Sequence, residues 1–333
     1  MGPTDRTALV CFGATAVLAG GNAVGIRFSN RELDPLWGAA LRFAAASALL
    51  LAVMAVRRLA PPKGPALAGA LGFGALNFAA TFALAYYALQ YVHAGFGQTV
   101  LSLVPLAALL LAVGQGQERF RALALAGALV AAAGVAVMTQ GLRGTVPWRA
   151  LLAMLGSVLC LAEAAVLVHR LPKVHPVTMN AVGMTGATVL LLAGSRLAGD
   201  HWALPERAAT WWALAYLVVA GSVLTFVFYL LVIERWGASR AAYVFVVIPL
   251  VTILLSAWLD DEPLSAGLLL GVPLVLAGVY GGALRKRADL PAHARAAIGD
   301  EARSEPDGGS GGAAPVDGRR RHGQGPASRG AGP

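Results

Sequence analysis

The feature that most constrains the fold of this chain is a series of long apolar runs. A run of about 18 or more apolar residues can cross the hydrocarbon core of a bilayer as an α-helix. The runs predict ten membrane-spanning helices, at residues 7–27, 35–56, 65–90, 93–115, 121–140, 148–169, 176–198, 209–234, 239–259 and 265–284. Short polar segments connect them. We therefore expect an all-α integral membrane protein.

The composition excludes several other classes of protein. Hydrophobic residues make up 57% of the 333 residues and charged residues only 13%, whereas a soluble domain has about 25% charged residues. A single soluble globular domain, a disordered chain and a nucleic-acid-binding module are thereby excluded. Cys11 and Cys160 both lie in apolar runs, and no Cys/His cluster has the spacing of a zinc site. We expect no metal and no cofactor.

The charged residues lie mainly outside the apolar runs and predict an orientation. Lysine and arginine are more frequent in the N-terminal segment 1–6 and in the loops on its side than in the loops opposite. This bias predicts that both termini are cytoplasmic. The expected location is a bacterial inner membrane. Residues 285–333 are basic and lack apolar periodicity, so we predict a disordered cytoplasmic tail. The net charge of +9 thus indicates orientation rather than nucleic-acid binding.

The chain repeats itself at an offset of about 144 positions. Matching residues are Thr81-Phe82 and Thr225-Phe226, Pro105-Leu106 and Pro249-Leu250, Glu118 and Glu262, Gly127 and Gly271, and Gly134 and Gly278. Residues 7–140 and 148–284 therefore each form a repeat of five predicted helices. Because five is odd, the second repeat enters the membrane inverted relative to the first. Inverted repeats are typical of transporters that bind substrate near the midplane between their halves.

The repeated residues also indicate a family. In the first repeat they are Leu41-Arg42-Phe43, Tyr87-Ala88-Leu89, Ala94-Gly95, Val104-Pro105-Leu106, Glu118 and the glycines Gly127 and Gly134; in the second they are Tyr229 through Ile233, Ala238, Ile248-Pro249-Leu250, Glu262, Gly271 and Gly278. This pattern resembles the EamA-type domain of the drug/metabolite transporter superfamily over residues 7–284. The resemblance implies ten helices around a central cavity and secondary transport, often export of metabolites or amino acids.

Two ionisable residues lie inside predicted spans and are the first candidates for function. A charge in a span is costly and usually faces a cavity or a partner. Arg42 is expected about 10 Å from one end of the second helix, where its planar fork can bind the carboxylate or phosphate of an anionic solute. Glu163 in the sixth helix can carry a coupling proton. The alternative is a structural role, in which Arg42 pairs with Glu163 or caps helix carbonyls and Glu163 is the salt partner of Arg42.

Neutral hydrogen-bonding side chains in the spans are further candidates for solute contact. They are Asn22, Asn77, Gln98, Ser102, Asn180, Thr225 and Tyr243. Each can instead bond to a neighbouring helix backbone. Pro105 and Pro249 each remove a backbone hydrogen bond, which predicts paired bends useful in gating or, alternatively, static kinks. Glu118 and Glu262 lie in loops, where they are expected to cap the following helix or to latch a gate.

These features predict a secondary transporter, an exporter of a small organic metabolite, amino acid or drug-like solute, that works by alternating access. The expected partners are the bilayer, the solute and protons as a coupling ion; a homodimer is left open. No enzyme motif is present, so we expect no catalysis. The alternatives are an uncoupled facilitator or lipid-type flippase and, from another class, a membrane-embedded transferase, which would need clustered acids or histidines at one membrane surface.

Overall fold

Prolines and short polar segments set the beginnings of the helices. Pro35, Pro65 and Pro176 stand in the first turn of their helices, where the missing N–H would have no intrahelical partner in any case. The computed structural model of the protein describes residues 3–117, 122–140, 146–168, 170–172, 174–236, 244–261 and 264–281. In this part of the chain every regular element is a helix, which confirms the all-α prediction.

The helices are labelled α1–α10 in chain order. They are α1 (Pro3–Ser29), α2 (Pro35–Val56), α3 (Pro65–Gly74 and Thr81–Ala88), α4 (Ala94–Leu101 and Val104–Gly114), α5 (Ala122–Gln140), α6 (Trp148–Val168), α7 (Pro176–Ala198), α8 (Ala208–Val218 and Thr225–Trp236), α9 (Val244–Leu259) and α10 (Ala266–Val279). Two π-helical segments, Ala75–Ala80 and Val219–Leu224, join the two parts of α3 and of α8.

Six helices among the described residues are long and apolar enough to cross a membrane. They are Arg6–Ser29 within α1, α2, α3, α4, α6 and α7. The described apolar stretches of α5, α8, α9 and α10 are shorter, so the number of ten spans stays a prediction. Large apolar side chains such as Val10, Leu197 and Trp212 point outward, as expected for a surface that lipid covers.

The helices pack in a pattern that links the beginning of the chain to its end. Helix α1 packs against α8 and α9, and α6 packs against α3 and α4. Helix α2 pairs with α7, and α5 pairs with α10. A shift of five helices converts the contacts of α1 into those of α6. The largest core cluster accordingly includes residues from both the first and the second half of the sequence.

Glycines permit the closest of these approaches. A Cβ atom added to Gly74 of α3 would overlap the backbone of Gly183 in α7. In the same way, a Cβ atom at Gly134 of α5 would overlap the backbone of Gly271 in α10. Small residues let helix backbones approach closely, which is how helices associate within a bilayer, where apolar burial alone gives little driving force.

The two π-helical segments occupy equivalent positions, 144 residues apart in the sequence. Each is followed by a threonine whose hydroxyl donates to a carbonyl five residues earlier. Thr81 Oγ1 lies 2.8 Å from the oxygen of Leu76, and Thr225 Oγ1 lies 2.8 Å from the oxygen of Ala220. Such segments are rare and are frequent at functional sites. The sequence analysis did not predict them.

Several predictions concern residues that lie outside the described part of the chain. These are the basic tail 285–333 and the candidate residues Glu118, Tyr243 and Glu262. At the other end, α1 begins at Pro3, earlier than the predicted span 7–27.

Candidate functional site

Arg42 of α2 is the centre of the candidate site. Its side chain is buried, with 2% of the residue exposed. Arg42 Nη2 donates to Asn22 Oδ1 at 3.0 Å and to Ser222 Oγ at 3.2 Å, and Nε lies 3.4 Å from the same Ser222 oxygen. Asn22 belongs to α1, and Ser222 belongs to the π-helical segment of α8. Three helices therefore meet at one guanidinium group.

Aromatic side chains cover the guanidinium. Its central carbon lies 4.7 Å from the centre of the Phe82 ring and 5.3 Å from that of Phe43, distances at which ring faces stabilise a cation. The phenol groups of Tyr86 and Tyr216 are close enough to interact electrostatically with the guanidinium. Arg42 Nη1 and the hydroxyl of Tyr86 are buried and have no hydrogen-bond partner of normal geometry. The site therefore holds two polar groups with unused hydrogen-bonding capacity.

The neutral groups around Arg42 are held in place by backbone hydrogen bonds. Asn22 Nδ2 donates to the carbonyl of Gly221 at 3.3 Å, and Ser222 Oγ donates to that of Leu217 at 2.9 Å. The hydroxyl of Tyr216 donates to the carbonyl of Leu18 at 2.8 Å. Because Ser222 and Asn22 donate elsewhere, their oxygens are left to accept from Arg42. The site is thus preorganised around a positive charge.

Glu163 lies in another part of the bundle, near the end of α6. Its Oε2 accepts from Gln115 Nε2 at 2.6 Å, and Gln115 follows the last residue of α4. The carbonyl of Gln115 in turn accepts from Arg170 Nη2 at 3.4 Å. The structure thus gives Arg42 and Glu163 different partners. The described ion pairs do not include one between Arg42 and Glu163, so the alternative of a structural ion pair between them is wrong.

The other predicted residues are dispersed. The side chains of Ser102, Asn180 and Thr225 donate to carbonyls of their own helices, at 2.6, 2.8 and 2.8 Å respectively. Asn77 lies in the π-helical segment of α3 and Gln98 lies in the first part of α4, and both are half-buried. Of the neutral candidates that the structure describes, Asn22 is hydrogen-bonded to Arg42; the hydrogen bonds described for Ser102, Asn180 and Thr225 go to other groups.

The two prolines predicted to form paired bends occupy different local structures. Pro105 stands in the first turn of the second part of α4, directly after the break at residues 102–103. Pro249 lies inside α9, which continues through it. One proline therefore follows an interruption of its helix, and the other is accommodated within an uninterrupted one. Their role in gating stays a prediction.

An ionic cluster that the sequence analysis missed joins α1 to α9. Asp260, whose side chain is 1% exposed, accepts from Arg27 Nε at 2.7 Å and from Arg31 Nη2. Arg27 Nη1 also donates to the carbonyl of Val92 at 2.6 Å. We call these residues the Arg27–Asp260 cluster. It closes one end of the bundle between the last residues of α1, the end of α9 and the turn after α3. The signal in the sequence was that Arg27 ends one predicted span, Arg31 follows it, and Asp260 follows another span that ends on the same predicted side.

At the same end, Glu32 provides a cap for α8. Its carboxylate accepts from the backbone N–H groups of Glu206 at 2.5 Å and Arg207 at 3.1 Å. The hydrogen bond from the Thr210 side chain, and then those from the two backbone groups, lower the pKa of Glu32 below its usual value of 4.5. The contact stabilises the beginning of α8, where unpaired N–H groups and the helix dipole favour an anion.

This cap predicts a pH-dependent contribution to stability. Because the pKa of Glu32 is lowered on folding, its stabilising effect is fully present above pH 4.5 and is lost as the pH falls through the lowered pKa. We expect Glu32→Gln to lower the melting temperature slightly at pH 7, since the group is exposed, and the difference from wild type to shrink below pH 4.5. Glu206→Gln, which keeps the donating backbone N–H, is the control. A difference that grows on acidification would contradict the cap.

The chain is similar in sequence to known transporters and in fold to a solved structure. A sequence model of the EamA-like transporter family matches residues 6–140 and 148–282. "Uncharacterized inner membrane transporter YedA" of Escherichia coli (strain K12) is 31% identical over 267 residues, 78% of this chain and 86% of that protein. "Uncharacterized transporter" of Archaeoglobus fulgidus is 27% identical over 263 residues, covering 77% and 91%. A solved crystal structure, described only as that of a protein, has a TM-score of 0.58 at 19% identity, covering 84% and 97%, and thus has the same fold.

Proposed function

The chain belongs to the EamA-like transporter family and is a membrane transporter, and we propose that it is a secondary transporter that exports a small organic metabolite, amino acid or drug-like solute by alternating access. No nucleotide-binding motif occurs in the sequence, so concentrative transport would draw on an ion gradient. The inner membrane named for the relative and the charge bias of the loops support an inner-membrane location with cytoplasmic termini.

The proposal includes two inverted halves, residues 7–140 and 148–284. Three observations support them. The family matches the chain in two consecutive segments, the π-helical segments lie 144 residues apart, and the contacts of α1 with α8 and α9 have counterparts in those of α6 with α3 and α4. In transporters built this way the two halves exchange conformations to expose a central site to either side.

The observation that carries the proposal is the buried guanidinium of Arg42 between the two halves. Asn22 and Arg42 come from the first half, and Ser222 comes from the second. A solute bound at this point contacts both halves, so a movement of one against the other would alter access to it. The Arg27–Asp260 cluster likewise joins the halves and would have to break when its end of the bundle opens.

Flux through the purified protein in proteoliposomes tests the proposal. Vesicles are loaded with one unlabelled solute from a panel of organic acids, amino acids and cationic drugs, and uptake of the same labelled solute is followed as counterflow. A transporter returns the solute chemically intact and accumulates label transiently. Conversion of the solute into a product, or the absence of counterflow across the whole panel with folded protein, would contradict transport.

A pH gradient across the same vesicles tests coupling through Glu163. We expect a gradient to drive uphill movement in wild type, and Glu163→Gln to reduce this component at least about tenfold because the amide cannot take up a proton. Counterflow without a gradient should persist in the variant. Glu206→Gln outside the spans is the matched control. If gradient-driven flux were unchanged in Glu163→Gln, Glu163 would not couple protons, and flux insensitive to the gradient in wild type would indicate an uncoupled facilitator.

A further inference from the structure

We infer that Arg42 binds the carboxylate of the transported solute, and that this solute is a monocarboxylate with an apolar or aromatic body rather than an amino acid. This inference rests on the proposed transport function and specifies the chemistry of its site. It is drawn from the charge of the site, from its unused hydrogen-bond donors and from the acceptors that are already occupied.

The charge of Arg42 is not balanced by the protein in the described part of the chain. No described carboxylate lies within ion-pair distance of its guanidinium, and its hydrogen bonds go to the neutral oxygens of Asn22 and Ser222. A buried charge without a counter-charge is costly, and neutral acceptors and aromatic faces offset only part of that cost. An anionic ligand would complete the site.

The unused donors are arranged to hold such an anion. Arg42 Nη1 and the Tyr86 hydroxyl are both buried, have no hydrogen-bond partner of normal geometry, and belong to neighbouring side chains. A carboxylate has two oxygens and accepts charge-assisted hydrogen bonds from a guanidinium and from a phenol. Its binding would satisfy both donors at once.

A single positive charge favours a single negative charge. Among the described residues, the groups that interact electrostatically with Arg42 are the phenols of Tyr86 and Tyr216, and no second lysine or arginine adds positive charge to the site. A phosphate monoester carries a charge near −2 at neutral pH and would remain partly uncompensated in this environment. A monocarboxylate leaves the buried site neutral.

The surroundings of the guanidinium disfavour an ammonium group on the same solute. The carbonyls of Leu18, Leu217 and Gly221 already accept hydrogen bonds from Tyr216, Ser222 and Asn22. Glu163, which lies in a described span, is bonded to Gln115 at the end of α4. The aromatic rings of Phe43 and Phe82 already lie against the cation of Arg42, so their attraction for a positive charge is used by the protein. They fit an apolar or aromatic body and offer no counter-charge to an amine.

Matched ligands test the carboxylate and the amine separately. Binding of 3-phenylpropionate, 3-phenylpropionamide, phenylalanine and phenyl phosphate, with octanoate and octanamide as aliphatic equivalents, is measured by calorimetry on the purified full-length protein. We expect at least one carboxylate to bind, and its amide and the amino acid to bind about 10- to 150-fold more weakly, the range for loss of a hydrogen bond to a charged group. Counterflow should show the same order.

Variants test the assignment to Arg42. We expect Arg42→Gln to weaken carboxylate binding about 10- to 150-fold and Arg42→Lys to retain part of it, since the charge remains but the fork is lost. Tyr86→Phe, which removes only the hydroxyl, should weaken the carboxylate about tenfold and leave the amide unaffected. Arg149→Gln is the matched control, because Arg149 is exposed and stacks on Trp148. Monodisperse elution establishes that each variant is folded.

The outcomes separate this inference from the function on which it rests. One possible result is counterflow of amino acids or cations that neither added carboxylates nor the folded variants Arg42→Lys and Tyr86→Phe change. This result would support transport and overturn the inference. Equal binding of a carboxylate and its amide would overturn it as well. Absence of counterflow for every solute would contradict the proposed function itself, even if carboxylates bound at Arg42.

Discussion

Asp260→Asn is expected to open the end of the bundle that the Arg27–Asp260 cluster closes. The carboxylate of Asp260 accepts from both Arg27 and Arg31, and the neutral amide would remove the one negative charge that both guanidinium groups contact in this cluster. Hydrogen bonds to charged groups contribute about 1.5–3 kcal/mol each, and partial exposure of both arginines lowers that figure. We expect a loss of about 2 kcal/mol, which corresponds to an increase of roughly 30-fold in the open-to-closed ratio.

Labelling of a cysteine can measure this opening. Gln98→Cys places a thiol at a half-buried position early in α4, in a background where Cys11 and Cys160 are replaced by alanine. A membrane-impermeant maleimide, added on the side of the Arg27–Asp260 cluster, should label this thiol faster in Asp260→Asn. Asp261→Asn makes the same charge change at the next residue and should not accelerate labelling. Equal rates in the two variants would show that the cluster does not hold this end closed.

Gly74→Ala is expected to have the largest effect on stability. A Cβ atom at this position would overlap the backbone of Gly183, and a backbone cannot move aside as the end of a side chain can. Overpacking of this kind costs about 3 kcal/mol, and here it would separate α3 from α7. We expect a large decrease in melting temperature or loss of monodisperse protein.

Gly72→Ala provides the matched control for Gly74→Ala. The two glycines belong to the same helix, and a Cβ atom at Gly72 meets nothing within 4 Å. Replacing this glycine should leave stability unchanged or increase it by about 1 kcal/mol, since alanine has the higher helix propensity. Fluorescence-detected size-exclusion chromatography after heating compares the two variants directly. Similar melting curves would contradict a close contact between α3 and α7.

Apolar runs predicted the positions of the helices because the physical requirement on a membrane span is local to that span. Each span must satisfy its own backbone hydrogen bonds, and this is visible in a window of about 20 residues. Arg42 could also be predicted as a candidate, since a charge in an apolar run is conspicuous by itself. Its partner Ser222 could not, because a serine in a helix is unremarkable until α1, α2 and α8 are brought together.

The same limit explains why the sequence analysis left open an ion pair between Arg42 and Glu163 that the structure does not contain. Arg42 and Glu163 were conspicuous for the same reason, and sequence spacing alone gives no distance between two helices. The structure instead pairs Glu163 with Gln115, a residue at the edge of a predicted span. The π-helical segments were also beyond prediction, because their i→i+5 hydrogen bonds depend on tertiary contacts and leave no periodicity in a run that is apolar on every face.

The unsatisfied Nη1 group of Arg42 has a consequence for the kinetics of transport. Under the proposed alternating access, the protein without solute would hold an unbalanced charge in a buried place each time it reoriented, whereas the protein with a bound carboxylate would reorient with that charge neutralised. We therefore expect the return step without solute to be slower than the movement of the protein with bound solute, in both directions. A carrier of this kind exchanges one solute for another faster than it releases solute in net efflux. In a cell, the flux through such a carrier would then depend on a second anion in the opposite compartment as well as on the coupling gradient.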